Sequence, residues 1–152
     1  MSSLLQRIGQ IIFWLIRPAL YVYLKGSGRT RILVRSEGQV LLIKGWLSDG
    51  KWTIPGGGLH AGEECNDGAV RELFEEVGIH VDAQAIQLIA SEPLRDHGLS
   101  FEVHYCVVDV PVQQKPQRQW YEISAAEWFD PAKLPKDMQP EVQRIFELLA
   151  EN

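Results

Sequence analysis

Residues 57–79, GGLHAGEECNDGAVRELFEEVGI, decide how the rest of this 152-residue chain is read. From residue 64 to 78 the run has a helical period. Ala69, Val70, Leu73, Phe74 and Val77 fall on one face at about 100° per residue. Arg71, Glu72, Glu75 and Glu76 fall on the other. The three carboxylates occupy positions i, i+3 and i+4, where like charges are neighbours and repel. Two readings stand for the helix alone. It presents a solvated acidic face, or the carboxylates hold something cationic. Mg²⁺ or Mn²⁺ suits the second reading, because hard divalent ions prefer carboxylate oxygen and are shared with substrate phosphates.

The flanks favour the cation. Pro55, Gly56, Gly57 and Gly58 precede the helix and let backbone approach closely, with no side chain in the way. Glu63 sits in the turn before the helix. Arg71, four residues ahead of Glu75, is placed to pair with it and hold it.

Written as a pattern, the run is G-x5-E-x7-R-E-U-x-E-E-x-G-U, with U a bulky aliphatic. Gly57, Glu63, Arg71, Glu72, Leu73, Glu75, Glu76, Gly78 and Ile79 fill its fixed positions. In this the chain resembles the Nudix hydrolases, and the Trp-x-Ile-Pro of residues 52–55 agrees with the strand that usually leads into their box. The resemblance covers about residues 30–150. It implies an α+β fold, a layered αβα sandwich with a mixed sheet, in which a strand, loop and helix carry the box. It also implies a hydrolase that cleaves the pyrophosphate of a nucleoside diphosphate linked to another moiety.

By the same resemblance, Glu72, Glu75, Glu76 and the carbonyl of Gly56 would hold the divalent ions, Mg²⁺ or Mn²⁺. Gly57, Glu63 and Arg71 would brace the loop and helix. Many members use one more carboxylate, six residues before a Trp in a late strand, and Glu122 stands six before Trp128. Glu72 or Glu122 would then orient the attacking water or take its proton, and in-line attack at phosphorus would expel a phosphate-bearing group. Two positions depart from the usual pattern. His60 stands where Glu is frequent, and Glu64 where a Ser, Thr or Asp cap is frequent, which leaves Asn66 or Asp67 to cap the helix. A catalytically silent Nudix module that binds a nucleotide or a protein is the rival reading. Silent members normally lack a box glutamate, and here all are present. Substrate contacts lie outside the box. Trp46, Arg95, His97, Trp120 and Tyr121 are candidates, the aromatics to stack a base and Arg95 to meet phosphate.

Composition sets the frame. The chain is 45% hydrophobic and 23% charged, as expected of one globular domain. Its net charge of −5 argues against a protein that grips long nucleic acid by general electrostatics. The charge is uneven. Residues 1–35 hold Arg7, Arg17, Lys25, Arg29, Arg31 and Arg35 and no acid; the other nine basic residues and all 20 acids follow, so that part carries −11. Cys65 and Cys106 form no CxxC pair, and they read as structural thiols in a reducing compartment. A cytoplasmic location is expected, with the inner face of a membrane left open.

Residues 1–28 read as a hydrophobic, basic helix and a Gly26-Ser27-Gly28 joint, ahead of a Nudix domain over 29–152. Gln6, Arg7, Gln10, Arg17 and Pro18 interrupt the apolar run. Three fates stay open for it: packing on the domain or a second subunit as a homodimer, peripheral contact with a membrane surface, or true anchoring. In the body, residues 30–35 and 39–44 read as a hairpin around Glu37-Gly38. Short strands are expected at 52–54, 85–91, 99–110 and 124–129, a Pro- and Gln-rich loop at 111–121, and a closing amphipathic helix at 138–150.

Overall fold

The computed structural model describes residues 28–46, 48–96, 99–117 and 122–151, without the side chains of 95, 96, 99 and 100. The N-terminal helix expected over residues 1–25 lies outside the described residues, and so do its suggested dimer and membrane roles. Among the described residues no helix is long and apolar enough to cross a membrane.

The described residues open with the expected hairpin, β1 (Gly28–Ser36) and β2 (Gln39–Gly45). Glu37 and Gly38 both take positive φ, 50° and 76°, as a tight hairpin turn demands. Helix α1 (Cys65–Val77) follows a long connection. Then come β3 (Gln87–Asp96), β4 (Leu99–Asp109), β5 (Ile123–Phe129) and α2 (Pro140–Glu151). β3 starts two residues late, because Asp82 caps a 3-10 turn at Ala83–Ala85 by accepting from the Gln84 amide. It also runs on through Pro93, which an edge strand tolerates.

The five strands form one mixed sheet in the order β3-β4-β1-β2-β5, with β1 and β4 parallel and the other neighbours antiparallel. Side chains alternate between its faces. Ile32, Val34, Leu41, Ile43, Cys106 and Val108 pack with Ala69, Leu73 and Val77 of α1. Leu33, Val40, Leu42, Val103, Tyr105 and Val107 pack with Val142, Ile145 and Leu148 of α2. One helix therefore covers each face, giving helix, sheet and helix layers. Two residues behave differently from their periodicity. Phe74, on the apolar stripe of α1, is 49% exposed and tilts against His80 with ring centroids 4.4 Å apart. Cys106, on the more polar side of β4, is fully buried because α1 covers that end of the strand.

The hairpin strands do not stay together. β1 and β2 pair only at Arg35↔Val40 and Ser36↔Gln39, and the chain that leads into α1 fills the gap between them. Thr53 exchanges both backbone bonds with Ile43 of β2, 2.8 and 2.9 Å. On the other side, Ile32 of β1 donates to the Pro55 carbonyl (2.8 Å) and Thr30 to the Gly57 carbonyl (2.9 Å), while Leu59 donates back to Gly28 (2.9 Å). The strand expected at 52–54 is thus a wedge between two strands. Trp52 closes its base edge-on against Phe129, centroids 4.8 Å apart.

Candidate active site

The wedge brings the glycines to the acidic face of α1. Gly56 has φ 137°, open only to glycine, and a Cβ there would stand 2.1 Å from the Thr30 carbonyl oxygen. Its amide donates to Glu76 Oε2 at 2.8 Å. At Gly57 a Cβ would lie 2.5 Å from Glu72 Oε1. The carboxylate therefore rests directly on bare backbone, and no other residue type leaves that space.

Helix α1 itself begins without a side-chain cap at Glu64. Asn66 does not cap it; its amide nitrogen donates to the Ala83 and Ile86 carbonyls, both at 3.0 Å, and ties the helix to the following loop. Asp67 lies in the first turn, where its charge meets the helix dipole favourably. The C-terminus stops at Gly78, φ 68°, whose amide donates to Phe74 while that of Ile79 donates to Leu73.

Arg71 organises the site. Its Nε and Nη2 donate to the two oxygens of Glu63 at 2.8 and 2.9 Å. Its Nη1 donates to Glu72 Oε1 at 2.8 Å and Glu75 Oε2 at 3.0 Å, and Nη2 also reaches the Gly58 carbonyl at 2.9 Å. One guanidinium thus gathers three carboxylates and the glycine loop. Glu63 is fixed further by the His60 amide, 2.8 Å. His60 contributes through its backbone, while its side chain is exposed. Hydrogen bonds from Arg71 hold the Glu63 carboxyl down at about 2.

Glu72 and Glu76 are pushed the other way. Burial raises the Glu72 carboxyl despite the pull of Arg71. Glu76 keeps some surface, yet protein crowds it so closely that burial pushes its carboxyl up to about 8, with the charges of Glu72 and Glu122 adding to the rise. Negative charge is therefore under-compensated here.

Sequence reasoning missed Arg31. It projects from β1, the middle strand, and its Nη1 donates to the Gly56 carbonyl at 2.7 Å. Its charge is felt at both Glu72 and Glu76, and its Nε lies 3.9 Å from Glu141 of α2. The signal was a charged residue in the apolar run of a central strand, which seldom buries without a partner. The carbonyl suggested as a metal ligand is thus bonded to an arginine in this structure.

Glu122 stands just before β5, and its carbonyl accepts from the Trp46 amide at 2.9 Å. Those two candidates are neighbours across the ends of β2 and β5, and the Glu122 charge reaches Glu76. Arg95 lies in edge strand β3, paired with Ser100, two strands away from β1. His97, Trp120 and Tyr121 lie outside the described residues.

Among the described residues, no three His, Cys, Asp or Glu side chains already converge as a cage for a metal ion. Arg71 stands between Glu72 and Glu75 instead. The donors nevertheless suit a hard divalent cation: they are all oxygen, two of the carboxyls are raised by burial, and Glu72 occupies a cradle left open at Gly57.

Comparison with known proteins bears on the family and the fold. A family model described as NUDIX domain matches residues 26–149. A MutT-like protein of Streptomyces ambofaciens is 28% identical over 107 residues, 70% of this chain and 65% of that one. An RNA pyrophosphohydrolase of Wolbachia pipientis is 43% identical over 47 residues, 31% of this chain and 29% of its own length. The chain thus spans less than two thirds of the curated relatives it matches. Among solved structures, a MutT NUDIX hydrolase from Burkholderia pseudomallei superposes with a TM-score of 0.73 at 21% identity, covering 82% of this chain and 98% of the other. A C. elegans Ap4A hydrolase superposes at 0.68 and 16%, covering 82% and 96%. At these identities the structural likeness is one of fold.

Proposed function

Because the chain belongs to the Nudix family, we propose that it hydrolyses the phosphoanhydride bond of a nucleotide-type diphosphate compound, with Mg²⁺ or Mn²⁺ as cofactor. The observation that carries this reading is the Glu72 carboxylate seated on Gly57 and linked through Arg71 to Glu75 and Glu63. A merely solvated acidic face would have no such bracing.

Glu72, Glu75 and Glu76 would hold the ion. When bound, it would supply positive charge against the phosphate oxygens and favour ionisation of water at neutral pH. The protein does the remaining work. The Gly56 amide fixes one oxygen of Glu76, leaving the other to serve the site. Arg71 and Glu63 hold the glycine loop against the helix, which keeps the carboxylates near one another. Arg31 adds a fixed positive charge beside the carboxylates, suited to a polyanionic substrate. Glu122, exposed at the start of β5, would orient the attacking water and accept its proton.

Relatives named RNA pyrophosphohydrolase and diphosphoinositol polyphosphate phosphohydrolase support a linked-phosphate substrate without selecting one. The test is a hydrolysis panel of dinucleoside polyphosphates, nucleotide sugars, nucleoside triphosphates and 5′-triphosphorylated RNA, with Mg²⁺, with Mn²⁺ and with a chelator. Cleavage of at least one compound, abolished by the chelator and by Glu76→Gln, is expected. No cleavage with either metal, or equal cleavage by Glu76→Gln, would sink the reading.

A further inference from the structure

The two cysteines are 41 residues apart in sequence, and the fold brings them together on the core side of α1. Cys65 is the first residue of that helix and is half-buried, whereas Cys106 in β4 is fully buried. Their sulfurs are 3.3 Å apart. The Thr30 hydroxyl, itself fully buried, lies 3.9 Å from Cys106 Sγ and 4.0 Å from Cys65 Sγ. Two thiols and a hydroxyl thus form a polar island in an otherwise apolar layer. Structural thiols need no such meeting, and neither sulfur takes part in the hydrolytic site.

We propose that Cys65 and Cys106 are a peroxide-reactive thiol pair that closes into an intramolecular disulfide, stapling the first turn of α1 to β4. A disulfide requires about 2.05 Å between sulfurs, so they have about 1.2 Å still to travel.

The two thiols are unequal in the way such chemistry needs. Cys65 has some access to solvent and stands at a helix N-terminus, where a thiolate is favoured. The bond with Cys106 holds its thiol down at about 7, against the effects of burial and the nearby Glu64 charge. The same bond, with burial, pushes the Cys106 thiol up. Cys65 is therefore the attacking group and Cys106 the resolving one. In the first step the Cys65 thiolate attacks one oxygen of a hydroperoxide. The S–O bond forms, the O–O bond breaks, and the departing oxygen leaves as water or alcohol after taking a proton. Sulfur is oxidised to the sulfenic acid and the peroxide is reduced. In the second step the Cys106 sulfur attacks Cys65 Sγ. The S–S bond forms, the S–O bond breaks, and the hydroxyl leaves as water with the Cys106 proton.

The test uses the full chain, reduced and then exposed to graded hydrogen peroxide at neutral pH, with intact mass and peptide mapping as readouts. These do not depend on hydrolysis, so failure here and failure of the proposed activity are separable. Both thiols should vanish together, with a mass loss of two hydrogens that dithiothreitol reverses. Thiol loss should run about tenfold faster than for an ordinary cysteine, as its larger thiolate fraction implies. Cys106→Ser should stop at a sulfenic acid on Cys65 that dimedone traps, and Cys65→Ser should leave Cys106 unmodified. The proposal fails if wild type gains oxygen at Cys65 while Cys106 stays a thiol, or if the disulfide joins two chains. Should Cys106→Ser not fold, the wild-type peptide map alone decides.

Discussion

Replacing Glu63 by Gln removes the charge that Arg71 grips, and the expected loss follows from the geometry. The Glu63 carboxylate accepts three hydrogen bonds, two from Arg71 and one from the His60 amide. In the variant, one Arg71 N–H faces an amide nitrogen, a donor against a donor. The carboxyl falls from its ordinary 4.5 to about 2 in the folded protein. At full weight that is about 3 kcal/mol; the loop is open to solvent, so screening reduces it to about 1–2 kcal/mol. Because the folded value is the lower one, this stability is complete above the unfolded value. It is lost as pH falls through the folded value. Urea unfolding followed by tryptophan fluorescence, in steps from neutral pH down to about 2, measures the wild-type and variant gap directly. The gap should be full at neutral pH, shrink below about 4.5 and close near 2. A gap that is absent at neutral pH, or that persists unchanged in acid, would refute the account of Arg71 and Glu63 as a clamp.

Other outcomes follow from the same packing and hydrogen bonds. Gly56→Ala places a Cβ 2.1 Å from the Thr30 carbonyl at a φ of 137°, and thermal unfolding should show a loss of about 3 kcal/mol or more. Glu76→Gln should cut hydrolysis by more than about 100-fold, yet leave the urea midpoint unchanged or raised. Burial already disfavours the Glu76 charge, and the neutral amide can still accept from Gly56. Leu73→Ala, at a fully buried position, should cost about 2–5 kcal/mol. Phe74→Ala, on the same predicted stripe but 49% exposed, should cost less than about 1.5 kcal/mol; similar losses for the two would contradict the placement of α1.

The contrast between Leu73 and Phe74 shows where a sequence stops being legible. Helical periodicity places both on one face, because it encodes direction around an axis and says nothing of how far the opposing layer extends. Residues 57–79 could be read closely because several of the fixed residues interact within the same run: Arg71 with Glu63, Glu72 and Glu75, and Glu72 with Gly57. Arg31 could not be read in this way. Its partners are Gly56 and Glu141, 25 and 110 positions along the chain, and only the sheet brings them near it. The Cys65 and Cys106 meeting was hidden for the same reason, since strand order is set by tertiary pairing. At β3 the start was misplaced because Asp82 captured its own backbone and delayed the strand.

The wedge between β1 and β2 bears on what kind of object the box is. On paper residues 57–79 are one unbroken string holding every fixed residue of the family pattern. In the folded protein, the amide that steadies Glu76 comes from Gly56, and the Pro55 and Gly57 carbonyls are held by the Ile32 and Thr30 amides. A synthetic peptide of the string alone would be a short, self-repelling acidic helix with half its fastenings missing, and it should be mostly unstructured in water. Grafting the string into an unrelated protein would fail for the same reason unless a split pair of strands came with it. The portable unit is thus the parted hairpin together with the chain it grips.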